Sequence, residues 1–155
     1  MSPTYVTEVR AFGELTTDEL YGLLRLRSEA FVVEQACVYQ DLDGLDAAAL
    51  HLLTTGEDGL AAYARLLPPG TPGYDAAAGI GRVVTAAAYR GAGLGRQLVR
   101  RGVGECQRRW PGRDVVLHAQ SHLLAFYGSC GFRSEGDEYL ETGLPHRVMR
   151  LAAKS

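Results

Sequence analysis

A chain of 155 residues has room for one hydrophobic core of ordinary size, and a single domain over 1–155 is expected. Hydrophobic residues make up 46%, charged residues 22%, and the formal net charge is −2, so nothing draws the chain as a whole to nucleic acid or membrane and any anion site has to be local. No apolar run is long enough to span a bilayer, the opening residues lack a basic segment followed by an apolar block, and three cysteines without a CxxC pair indicate free thiols; a cytoplasmic protein is expected.

Residues 5–9, YVTEV, alternate as a first strand. A helix follows over TTDELYGLLRLRSEAF, opened by a capping box of Thr16 and Glu19, carrying an apolar stripe from Leu20, Leu23 and Leu24, and ending near Phe31. The next stretch, VVEQACVYQDLDGLDAAA, is irregular and acidic and reads as a loop bearing Glu34, Asp41, Asp43 and Asp46. LHLLTT and LAAYARLL flank GEDG as a hairpin, and PPGTPGYDAAAG turns the chain into the strand IGRVVT.

Past the glycine cluster, Leu94, Leu98, Val99, Val103, Cys106 and Trp110 lie at helical spacing. Gly102 and Gly104 each cost that helix roughly 1 kcal/mol relative to alanine, so packing has to support it. DVVLHA is a buried-type strand, SHLLAFYGS a short helix capped by Ser121, and the tail two strands around a Gly-Pro turn.

The chemistry concentrates at VVTAAAYRGAGLGRQL. A strand ending in glycines that open a helix aims bare amide N–H groups and the positive end of a helix dipole at one point, with Arg90 and Arg96 at its edges, and phosphate is the natural guest. A Walker loop is excluded because no Gly-Lys-Ser/Thr triplet occurs. The dinucleotide fingerprint fails because Arg96 stands where its third glycine belongs.

RGAGLG, with Arg90, Gly93 and Gly95, resembles the Q/R-x-x-G-x-G/A signature of the GNAT superfamily of acyl-CoA-dependent N-acetyltransferases. FYGSCGF, about thirty residues on, resembles the second element of that family. FVVEQACVYQDLDGLD, LHAQSHLLAFYGSCGF and GLPH resemble its ElaA-like branch, so the likeness runs from Leu20 onward. It implies an α+β (three-layer α/β sandwich) fold: a mixed, mostly antiparallel sheet of about six to seven strands, helices on both faces and a splayed pair of central strands.

The resemblance further implies acetyl-CoA as co-substrate, with Val83, Val84 and Thr85 lending backbone hydrogen bonds to the pantetheine arm and Gly91, Ala92, Gly93, Leu94, Gly95 and Arg96 cradling the pyrophosphate beside Arg90. The N–H of Val83 or Val84 would polarise the thioester carbonyl. Tyr127 would lie against the cofactor and protonate the departing thiolate, since a phenol stays protonated at neutral pH. The attacking amine must shed a proton, and Glu34, His51, His118, Glu138 and His146 are the acceptors available, with Glu34 and His146 ranked first.

His118 and His122 lack an acidic third partner at a known spacing, so no metal is expected. The four carboxylates between 34 and 46 would attract a cationic amine, small molecule or peptide, whereas Arg25 or Arg27 could instead bind an acidic part of it. No nucleic-acid or membrane partner is expected, and edge strands could pair into a homodimer. The alternative to an enzyme is a CoA-binding or regulatory module on the same fold that has lost turnover.

Overall fold

The computed structural model describes residues 4–154. Its seven strands are β1 (Val6–Ala11), β2 (Leu50–Gly56), β3 (Gly59–Leu67), β4 (Ala78–Thr85), β5 (Val115–Gln120), β6 (Arg133–Glu141) and β7 (Leu144–Leu151). They form one sheet in the order β1-β2-β3-β4-β5-β7-β6. Every adjacent pair is antiparallel except β4 with β5. Those two touch only at Ala78–Val115 and Gly79–Val116 and then diverge, which is the splayed central pair that the family resemblance implies.

Alternation along the central strands explains the layers. Leu52, Ala62, Ala64, Leu66 and Ile80 point to one face and meet Leu94, Leu98, Val99 and Cys106 of α2 (Leu94–Arg109). Leu53, Tyr63 and Val84 point to the other and meet Leu23, Leu26 and Ala30 from α1 (Thr17–Arg27) and the turn after it. Each face is therefore sealed by its own helix, and each fully buried leucine or valine contributes about 1.5–3 kcal/mol. Gly102 lets α2 lie close on the sheet: a Cβ there would stand 3.2 Å from Leu66 and 3.3 Å from Ile80.

The capping box of α1 forms as its sequence predicts, Glu19 N–H donating to Thr16 Oγ1 at 3.0 Å and Thr16 N–H to Glu19 Oε1 at 2.9 Å. Three local expectations differ. The helix expected to end near Phe31 leaves α geometry at Arg27 and continues as a π-helical turn over Ser28–Glu34; hydrophobic periodicity, which assumes 3.6 residues per turn, does not register such a widening. Ser121 does not cap the short helix α3 (Leu124–Gly128): it opens a 3₁₀ turn, and its hydroxyl donates to Glu138. The turn of the last hairpin is Thr142–Gly143, with φ +52° and +79°, the paired left-handed conformation of a tight two-residue turn, and Pro145 lies inside β7.

Candidate active site

Where β4 and β5 part, the sheet opens into a cavity of about 670 Å³. Its walls come from β4 (Val83, Val84, Thr85), β5 (His118, Gln120), the π-helical turn (Phe31, Glu34), α3 (Tyr127) and the last hairpin (Glu141, His146). Divergence is what makes the site, because the β4 edge facing β5 beyond Gly79 has no strand to satisfy its backbone groups.

β4 is also kinked where it enters the cavity. Tyr63 pairs with Val84 but Arg65 with Gly81, so Arg82 and Val83 together oppose Ala64, which is a β-bulge. Arg82 takes φ +53°, a left-handed conformation that costs a non-glycine residue on the order of 1 kcal/mol. Its side chain offsets that strain by donating to Asp41 Oδ1 at 2.7 Å and to the Asp41 carbonyl at 3.1 Å. The bulge turns the backbone at Val83 and Val84 relative to a regular strand.

From Thr85 the chain passes through a 3₁₀ turn to the glycines. Gly91 and Gly93 adopt φ +90° and +78°, conformations that glycine supplies without steric cost, and Gly93 is the N-cap of α2. The first amides of α2, at Leu94, Gly95 and Arg96, have no intrahelical acceptor, so they present donors at the positive end of a helix of 16 residues. The Leu94 side chain is buried in the core and the Arg96 side chain is exposed. Of residues 90–96 only Arg90 lines the cavity; Gly91 to Arg96 lie beyond its wall.

Tyr127 is buried with its ring edge-on to Phe126 and Phe132. Burial pushes its phenol up to about 12. The five proton-acceptor candidates separate. His51 is fully buried away from the cavity: its Nε2–H donates to the Asp46 carbonyl at 2.9 Å, its Nδ1 accepts from Tyr63 at 2.6 Å, and burial lowers its proton affinity. His118 lines the cavity with both nitrogens engaged, Nε2–H on the Gly73 carbonyl and Nδ1 on the Tyr139 hydroxyl. Glu138 accepts from Ser121 outside the walls, and Glu34 pairs with Arg90 at 2.8 Å. His146 donates Nδ1–H to the Leu144 carbonyl at 2.8 Å, leaving Nε2 with its lone pair.

The acidic loop does not present the charge that its composition suggests. Asp41 and Asp46 bond Arg27, Asp43 and Asp46 bond Arg65, and Asp41 and Asp43 bond Arg82, so three carboxylates face three guanidiniums. Arg27, fully buried in this network, is not free to bind an acidic acceptor, and Arg25 pairs with Glu29 on the surface. Burial alone would raise the Asp43 carboxyl, yet hydrogen bonds from Arg65 and the Leu45 amide outweigh it and hold the group at about 2. Sequence reasoning missed Arg65, Arg82, Tyr74 and Glu141 as cavity residues; a left-handed arginine inside a strand leaves no mark in residue spacing. Among the described residues no three His, Cys, Asp or Glu side chains gather as metal ligands.

An open sheet over a β-bulge, feeding a glycine turn and a helix N-terminus, defines the acyl-CoA N-acyltransferase fold. Residues 14–153 match the model of the acetyltransferase (GNAT) domain, so the chain belongs to the GNAT family, whose class of chemistry is acyl transfer. Within the family it is ElaA-like. It is 43% identical over 136 residues to Protein ElaA of Escherichia coli, spanning 86% of this chain and 88% of that protein. A crystal structure of Escherichia coli ElaA superposes with a TM-score of 0.88 at 39% identity, covering 96% of this chain and 99% of that one. An acyl-CoA N-acyltransferase from Pseudomonas aeruginosa superposes at 0.89 with 44% identity, covering 96% and 100%.

Proposed function

We propose that this protein transfers an acetyl group from acetyl-CoA to a primary amine by direct attack in a ternary complex. The observation that carries the proposal is the joint placement of the parted, bulged β4 edge and Tyr127 on one cavity, with the glycine turn next along the chain. The residues fit the co-substrate: β4 offers unpaired backbone groups to an amide-bearing arm, and the amides of Gly91 to Arg96 offer donors for a diphosphate. Bound acetyl-CoA supplies an activated thioester carbonyl.

The N–H of Val83 or Val84, re-aimed by the bulge, donates to the carbonyl oxygen as negative charge grows on it. Tyr127, kept protonated by burial, gives its proton to sulfur as the C–S bond breaks. His146 receives the proton that the amine must lose, through the Nε2 lone pair that its bond to Leu144 leaves free. Glu34, ranked level with His146 from the sequence, lines the same cavity and pairs with Arg90 at 2.8 Å, which would steady that arginine beside the diphosphate.

The test is release of CoA thiol from acetyl-CoA across a panel of primary amines. Amine-dependent release with formation of the N-acetyl product is expected. Binding of acetyl-CoA without amine-dependent release would instead establish a CoA-binding module without turnover.

A further inference from the structure

Every carboxylate on the cavity wall except the one at the last hairpin meets an arginine. Glu34 has Arg90, and Asp43 has Arg65 and Arg82. The third carboxylate on the wall, Glu141, has no arginine or lysine partner among the described residues; the basic atom set beside it is His146 Nε2, at 3.4 Å. Strand register creates this juxtaposition. Tyr139 pairs with His146 across the hairpin and Glu141 follows two residues later, so all three side chains share one face. The Tyr139 ring lies 6.0 Å from the His146 ring, Tyr139 in turn donates to His118 on β5, and Tyr74 borders the same space from the loop before β4.

Resting on the acyl-transfer function proposed above, we propose that Glu141 and His146 form the acceptor subsite and select a primary alkylammonium with no carboxylate beside the amine. The Glu141 carboxylate holds the ammonium, and Nε2 of His146 takes one of its protons. The freed lone pair forms the C–N bond as the C–S bond breaks. A second proton leaves the nitrogen by way of solvent and replaces the one that Tyr127 passes to sulfur, so one proton is released overall per amine acetylated. An adjacent carboxylate is disfavoured because Glu141 repels it while Arg65 and Arg82 are already committed to aspartates.

Imidazole NMR of His146 tests this without requiring turnover. n-Butylammonium, fully charged at about pH 7.5, is titrated into the wild type and Glu141→Gln, with n-butanol as the uncharged control. A saturable shift with the ammonium, about tenfold weaker binding in Glu141→Gln and no shift with the alcohol are expected. Equal binding by both proteins, or no ammonium-specific shift in the wild type, overturns the subsite. CoA calorimetry on the same samples reads the acyl-transfer function separately: no heat from CoA with an intact ammonium response refutes that function and leaves the subsite standing, while the reverse pattern refutes the subsite alone.

Discussion

Tyr127 joins an apolar ring, seated against Phe126 and Phe132, to a hydroxyl on a polar cavity, and the two halves predict separable effects. Tyr127→Phe keeps the packing and removes the acid: turnover is expected to fall about a hundredfold while affinity for CoA, followed by calorimetry, stays within about twofold. Unchanged turnover would remove the hydroxyl from the mechanism. Asp43 predicts an effect on stability instead. Its folded carboxyl, at about 2, lies below the ordinary value of about 4, so it stabilises the fold above the ordinary value and the contribution is lost as pH falls through about 2. Acid unfolding of Asp43→Asn should therefore show a shallower loss of stability between about pH 4 and 2 than the wild type, read from urea midpoints at each pH. The residue scale is also where the sequence misleads most. Asp41 meets Arg27 from 14 positions away and Arg82 from 41, so a local count of carboxylates sees the anions and not the cations that neutralise them.

At the level of elements, α2 shows how two glycines in one helix do different work. Gly102 faces the sheet with Leu66 and Ile80 at its Cα, whereas nothing stands within 4 Å of a Cβ at Gly104, which is exposed. Gly104→Ala should stabilise the protein by about 0.5–1 kcal/mol through helix propensity, and Gly102→Leu should destabilise it by about 1–3 kcal/mol through overpacking. Chemical denaturation measures both, and equal effects at the two positions would contradict the helix placement. Strands β2 to β5 are legible in the sequence as apolar runs bounded by turn residues because they are buried on both faces, and helix α2 because its apolar spacing matches its buried stripe. The π-helical turn is not, since it depends on an extra residue within a helical run, nor is the β4 bulge, which depends on Arg82 being held by a distant aspartate. Glu141 escapes notice for a related reason: only the Thr142–Gly143 turn fixes the register that sets it beside His146.

Across the whole molecule, the sheet order brings together on one cavity segments far apart in the chain: the turn after α1, the end of β4, α3 and the last hairpin. Both core layers reach this opening: Ile80, Leu117 and Tyr127 from one and Ala30 and Val84 from the other line the cavity. No helix among the described residues is long and apolar enough to cross a membrane. The glycine turn and the Tyr127 segment stand out in the sequence because each is a short contiguous run, RGAGLG and FYGSCGF, that resembles a family motif. The acceptor side offers no such fixed pattern, being assembled from side chains whose meaning depends on their neighbours in space. The most direct measurement of the central claim is an amide NMR titration with acetyl-CoA. Saturable shifts confined to the amides of residues 83–85 and 91–96 and to the surroundings of Tyr127 are predicted; an unperturbed spectrum, or shifts centred elsewhere on the sheet, would contradict the account.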